Sequence, residues 1–292
     1  MWVLLGVFVL LGGQPSEAGT GDHTQARPAH RAPAILRYVA VGDSYTAGAG
    51  IPPVEVGGCF RSGRNYPHRI AERLGARLVD ASCGGAKIEH AEEPQTAGEV
   101  INRPQLDGID RRTDLVTISL GVNDANFAGL LGACSQVGAQ DPGGSPCRAL
   151  FRGPSGDTLL SDIAKVGRRL ERVIGQVREK APDAAVVVIG YPLLAPAHGT
   201  CPGLPFAAGD YAFLNEFLMD VDAALWAAAR HTDARYVDLA GPSKGHDICA
   251  GADAWVLGAI SSPRAMVWHP FANEQRAVAD LVVDALGGSA LP

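Results

Sequence analysis

Short apolar runs alternate with longer amphipathic stretches along the 292-residue chain. Residues 35–41 (ILRYVAV), 77–81 (RLVDA), 115–120 (LVTISL), 185–190 (AVVVIG) and 235–238 (RYVD) are short and mostly β-branched or aromatic, which predicts strands. Residues 66–74, 157–180, 210–230 and 272–286 read as helices. In 157–180, Leu159, Leu160, Ile163, Val166, Leu170, Val173, Ile174 and Val177 recur at three- and four-residue steps with basic residues between them. Over 211–230 the same period puts Phe213, Leu214, Phe217, Leu218, Val221, Leu225 and Trp226 on one broad face. Strands alternating with helices predict an α/β fold, a parallel sheet covered on both sides, with ligands outside the carboxyl ends of its strands. The connections 49–65, 82–112, 132–156, 191–209 and 239–268 read as long loops, and long loops in a compact domain are usually functional.

With 47% hydrophobic and 19% charged residues, the chain can bury one large core. A net charge of −6, with lysines and arginines scattered along the sequence, disfavours nucleic acid as a partner. Trp2–Leu11 (WVLLGVFVLL) is short for a membrane span and is followed by Ser16-Glu17-Ala18, a small-x-small cleavage pattern. Residues 1–18 are therefore expected to be a secretory signal peptide, although no Lys or Arg precedes the apolar run. Residues 19–33 lack apolar periodicity and read as a flexible lead-in to a domain over 34–292. The six cysteines, Cys59, Cys83, Cys134, Cys147, Cys201 and Cys249, show no metal-ligand spacing, and their even number fits an exported, oxidised protein. Sequence leaves the connectivity open. Pairing neighbours in order, 59 with 83, 134 with 147 and 201 with 249, is favoured because each pair brackets a Gly/Pro-rich stretch.

Candidate chemistry begins where the first strand ends in Gly42-Asp43-Ser44-Tyr45-Thr46-Ala47-Gly48. A serine on a glycine-bounded turn can be a nucleophile once a base takes its proton and donors stabilise the oxyanion. His269, between Trp268 and Pro270 ahead of the last helical pattern, is placed to be that base. The other seven histidines lie in the lead-in, on helical or loop stretches, or beside charge, where solvated roles are expected. Gly85 in Cys83-Gly84-Gly85-Ala86 and Asn123 in Gly121-Val122-Asn123-Asp124 each follow a predicted strand and could point N–H groups at a developing oxyanion.

Taken in order, VGDSYTAG, SCGGA, DLVTISLGVND and WHP resemble the blocks of the SGNH (GDSL) hydrolases, and the cysteines resemble those of the secreted actinobacterial lipase/esterase branch. The resemblance covers essentially the whole mature chain. It implies a three-layer α/β/α sandwich of flavodoxin-like type and the sequential disulfides. It also implies Ser44 as nucleophile, His269 as general acid/base, and an oxyanion hole made of the Ser44 N–H, the Gly85 N–H and the Asn123 side chain. Many members carry an aspartate three residues before the histidine, where this chain has Met266. Some secreted relatives act as Ser/His dyads, which suggests the Met266 backbone carbonyl as the group orienting His269, with Asp247 or Asp253 as alternatives.

The expected activity is cleavage of lipid acyl esters by a secreted serine carboxylic-ester hydrolase, with no metal or organic cofactor. Its expected partners are an acyl-ester substrate and, transiently, lipid surfaces, and the protein is expected to be a monomer. Four apolar loop segments, Ile51–Val54, Tyr191–Leu194, Leu204–Phe206 and Trp255–Leu257, are candidates for lining an acyl groove. The alternatives are a carbohydrate O-deacetylase of the same fold, against which an aromatic content of 6% counts mildly, and a non-catalytic secreted lipid-binding protein.

Overall fold

The computed structural model describes residues 1–2, 36–55, 57–152 and 158–287. The expected leader beyond Trp2 and the lead-in at 19–33 lie outside the described residues. By its contacts the chain divides into Met1–Ala34 and Ile35–Pro292, and all the elements named below belong to the second unit.

Five strands, β1 (Arg37–Gly42), β2 (Arg77–Asp80), β5 (Leu115–Ser119), β6 (Ala185–Ile189) and β7 (Arg235–Val237), form a sheet in the order β2-β1-β5-β6-β7. Every pairing is parallel, with Val39 opposite Val79 and Val116, and Val116 opposite Val186. Successive side chains of a strand point to opposite faces, so a sheet covered on both sides needs apolar residues at almost every position. Val39, Val41, Val116, Ile118, Val186 and Val188 enter one core, while Tyr38, Ala40, Leu115, Val187, Ile189 and Val237 enter the other.

The first core is closed by α5 (Thr158–Lys180) and α6 (Tyr211–His231), which present Val166, Leu170, Val173, Ile174, Phe213, Phe217 and Leu225. The second is closed by α2 (Tyr66–Leu74) and α7 (Ala272–Ala285), through Ile70, Val278 and Val282. This is the expected three-layer α/β/α arrangement. Local sequence fixes the limits of α2: Asn65 caps it by accepting the His68 N–H at 3.2 Å, Pro67 sits in its first turn, and Gly75 ends it at φ 61°.

The structure departs from the sequence reading in three places. Trp226 is 47% exposed rather than on the buried face of α6, and the Arg230 guanidinium lies 5.0 Å from its ring centre. The α6 stripe drifts past the core edge at this point, and an aromatic ring can remain in water when a cation covers its face. The stretch read as loop at 82–112 contains a two-stranded antiparallel hairpin, β3 (Gln95–Ala97) with β4 (Val100–Asn102). The third departure is α3 (Phe127–Gln140) and α4 (Pro146–Phe151), which occupy much of the stretch read as loop at 132–156. Gly129, Gly132 and Gly138 weaken the helical signal of α3. The helix forms because Phe127, Leu130, Leu131 and Cys134 are buried and because Cys134 is bridged to Cys147 in α4.

The disulfides are Cys59–Cys83, Cys134–Cys147 and Cys201–Cys249, neighbours in order. Asp210, fully buried, accepts the α4 amides of Cys147 at 2.8 Å and Arg148 at 2.9 Å. Removing its carboxylate leaves both donors unmet. Asp210→Ala is therefore expected to lower the unfolding free energy by about 1–3 kcal/mol, read as a lower urea midpoint at unchanged m-value.

Candidate active site

β1 ends at Gly42, and the chain turns there into a single helical turn, α1 (Ser44–Ala47). A Cβ on Gly42 would run into the Thr46 side chain, so this turn requires glycine. Asp43 caps the turn by accepting the Tyr45 N–H at 2.9 Å, and Gly48 closes it at φ 65°. The Gln105 side chain brackets Gly42 from outside: its Oε1 accepts the Gly42 N–H at 2.7 Å and its Nε2 donates to the Gly42 carbonyl at 3.0 Å. Ser44, the first residue of this held turn, is 8% exposed.

Ser44, Gly85, Asn123 and His269 line one cavity of about 340 Å³. Gly85 sits in a turn closed by the Ala86 N–H to the Cys83 carbonyl at 3.0 Å, with φ 74°. A Cβ there would meet nothing within 4 Å, so it is the positive φ, not lack of space, that favours glycine. Asn123 donates one amide hydrogen to the Ala86 carbonyl at 2.9 Å, which fixes its side chain and leaves the second hydrogen available. Among the described residues the Ser44 and Gly85 backbone N–H groups have no acceptor. Three N–H donors on residues lining the same cavity can serve one developing negative charge.

His269 follows a tight turn in which its own N–H donates to the Met266 carbonyl at 3.0 Å. Trp268 takes φ 66°, and the Val267 carbonyl rather than that of Met266 lies 2.7 Å from His269 Nδ1. This corrects the expectation for Met266. In a turn with positive φ at its third residue the central peptide is flipped, so the second residue's carbonyl faces the ring while the first's is used by the backbone. Neither Asp247 nor Asp253 bonds the His269 ring: Asp247 Oδ1 accepts the Cys249 N–H, and the position at Nδ1 is taken by the Val267 carbonyl. Burial lowers the His269 pKa and the Val267 contact only partly opposes it, so the imidazole is neutral at pH 7, the form a base requires. With Nδ1–H donated to the carbonyl, Nε2 is the basic nitrogen.

Tyr45 ties the serine turn to the histidine loop. Its hydroxyl donates to the Trp268 carbonyl at 3.0 Å, and its ring centre lies 5.9 Å from that of His269. Beneath it, Gln275 Nε2 donates to the Tyr45 carbonyl and to Glu274 Oε2, while Oε1 accepts the Tyr66 N–H. Burial pushes Glu274 up to about 8. Asp43, also pushed up by burial to about 7, accepts the Tyr191 hydroxyl at 2.7 Å.

Phe60, Phe127, Ala128, Leu131, Gly132 and Trp268 complete the cavity wall. None of the four apolar loop segments expected to form an acyl groove contributes. Trp255, Val256 and Leu204 are buried in the core, and Ile51 and Pro52 line a different cavity. Much of the wall comes instead from α3, whose helical period is obscured by its glycines.

A model of the GDSL-like lipase/acylhydrolase family matches residues 40–273. The chain belongs to that family. Lipase 2 of Streptomyces coelicolor is 39% identical over 271 residues, covering 89% of this chain and 90% of its own. A lipase of Streptomyces rimosus is 31% identical over 241 residues, covering 82% of each chain. Among solved structures of this fold, phospholipase A1 from Streptomyces albidoflavus superposes with a TM-score of 0.71 at 28% identity, over 88% of this chain and all of that one. An extracellular lipase from Streptomyces rimosus gives 0.66 at 27% identity, over 87% and 100%. As a GDSL-family acylhydrolase, this chain is a carboxylic-ester hydrolase, and its catalytic unit is the α/β/α sandwich described above.

The buried Glu274 generates a pH prediction. Its pKa is raised in the folded state from 4.5, so the fold binds more protons than the unfolded chain between about pH 4.5 and 8, and stability falls as pH rises through that window. Glutamine keeps the shape without the charge. Glu274→Gln is therefore expected to stabilise the protein more at pH 8 than at pH 5, measured by urea unfolding at each pH.

Proposed function

We propose that this chain is a secreted lipase/esterase that cleaves lipid acyl esters through a covalent Ser44 intermediate. The observation that carries the reading is the single cavity in which Ser44, His269, Gly85 and Asn123 meet the apolar side chains of Phe60, Phe127, Leu131 and Trp268. In this reading His269 Nε2 takes the Ser44 proton as Oγ bonds to the ester carbonyl carbon. The carbonyl oxygen, now negative, is held by the Ser44 and Gly85 N–H groups and the Asn123 amide. Collapse of that intermediate breaks the carbon–alkoxide bond, and the imidazolium protonates the departing alcohol. Water, deprotonated by the same nitrogen, then releases the acid and restores the serine. The Val267 carbonyl holds the ring in the tautomer this cycle needs and steadies the imidazolium. Residues 1–18 would direct export and be removed, with 19–33 leading into the domain at 34–292. Three disulfides suit an oxidising compartment.

Initial rates on p-nitrophenyl esters from acetyl to palmitoyl test the reading. Turnover is expected to peak at medium or long chains and to vanish in Ser44→Ala; acetyl-only activity would point to a deacetylase, and no Ser44-dependent turnover would leave a lipid-binding protein. In the same series Gly132→Leu probes the acyl wall. A Cβ at Gly132 meets nothing within 4 Å and its φ is ordinary, so the larger side chain fills the cavity without backbone strain. It is expected to shift the preference to shorter acyl chains by roughly tenfold while sparing butyrate, and an unchanged profile would remove α3 from the acyl site.

A further inference from the structure

A second cavity, of about 430 Å³, draws on two of the chain segments that also reach the ester cavity. Ile51 and Pro52 line it shortly after Ala49, and Arg264 and Phe271 line it on either flank of Met266–His269, which line the ester cavity. Its volume is that of a small-molecule site rather than of a bare ion.

Arg64, Arg264 and Arg276, distant in sequence, converge on this cavity, and no carboxylate lines it. Among the described residues none of the three forms an ion pair, whereas nearby Arg73 pairs with Asp280. Two of the three act on a neighbour: after burial, Arg276 and Arg64, with Arg73 outside the cavity, press the Arg69 pKa down, against Glu72. The Arg264 guanidinium lies 4.6 Å from the Phe271 ring centre, which stacks it at the cavity wall. Helix α7 starts here on Phe271, which has no side-chain acceptor to cap it, and the Ala272 and Asn273 N–H groups have no acceptor among the described residues. Of the acids close in sequence, Glu274 is buried against Gln275, and Asp253 does not line the cavity although Ala252 and Ala254 do.

In a chain of net charge −6, uncompensated guanidiniums gathered at a concave surface repel one another unless an anion joins them. Their planar forks match the oxygens of a phosphate, and the open helix start favours the same charge. Ile51, Pro52 and Phe271 add an apolar wall suited to the organic part of such a ligand. We propose that this cavity seats the phosphate of an anionic phospholipid head group and so docks the enzyme on negatively charged lipid surfaces beside the ester cavity. This deepens the lipid-ester reading, but docking can be read without turnover, so the failure of one is distinguishable from the failure of the other.

The test is co-sedimentation of the mature protein with vesicles of diether phosphatidylglycerol or diether phosphatidylcholine, which offer no carboxylic ester to cleave. The Arg64→Glu/Arg264→Glu/Arg276→Glu variant is compared with a control of equal charge change, Arg103→Glu/Arg111→Glu/Arg112→Glu. Wild type is expected to bind phosphatidylglycerol at least about tenfold more tightly than phosphatidylcholine, the cavity variant to lose about tenfold or more, and the control to lose about twofold. Arg276→Gln, a milder change at an exposed position, should lose about threefold and covers the case in which the triple variant fails to fold. Equal losses in the cavity and control variants, or no preference for the anionic vesicle, would overturn the proposal. So would inorganic phosphate raising the wild-type Tm while phosphatidylglycerol vesicles go unbound, which would assign the cavity to a free anion.

Discussion

The site depends on how β1 stops. A central parallel strand leaves its last backbone groups to be satisfied outside the ladder, and an unmet buried pair would cost several kcal/mol. Gln105 meets both groups of Gly42 with one amide, and the Gly42 carbonyl also accepts the Cys83 N–H at 3.0 Å. That last bond matters because Cys83 opens the turn containing Gly85. The end of the strand thus sets the place of Ser44 on one side and of Gly85, the proposed oxyanion donor, on the other.

Below this level the polar groups are buried acids kept close to neutrality. Asp43, Asp222 and Glu274 are each raised by burial, and each is met by hydrogen-bond donors: Tyr191 and the Tyr45 N–H, the Tyr191 N–H, and Gln275. Tyr191 joins two of them, accepting a position between the α6 acid and the turn that carries Ser44. Such buried hydrogen-bond networks hold geometry better than apolar contacts do, because a shift of a few tenths of an ångström weakens several directional bonds together. The cost is a pH-dependent fold.

Most of the architecture was legible because the strands are buried on both faces and so read as continuous apolar runs, and because α5 keeps a strict helical period. Ser44, Gly85, Asn123 and His269 stand in four short blocks far apart in sequence, and the structure brings all four to one cavity. Val267 was not legible, since a backbone carbonyl carries no side-chain signature and its orientation rests on the positive φ of Trp268. The apolar wall of the Ser44 cavity was missed because α3 hides its period behind glycines, while the loop segments that looked more apolar pack inward. The basic cavity was missed for a different reason: Arg64, Arg264 and Arg276 look scattered in sequence, and only the meeting of α2's leading loop with the start of α7 gathers them.

Trp268 carries a bulky side chain in a conformation that glycine adopts more cheaply, at a cost on the order of 1–3 kcal/mol. Its ring centre lies 6.4 Å from that of Phe206, and its carbonyl accepts the Tyr45 hydroxyl, so the residue is clamped at both its side chain and its backbone. A glycine here would relax the main chain and release the clamp. Position 268 therefore sets the strain of one residue against the aim of a neighbouring ring, because the φ that costs the backbone is the one that turns the Val267 carbonyl to His269 Nδ1.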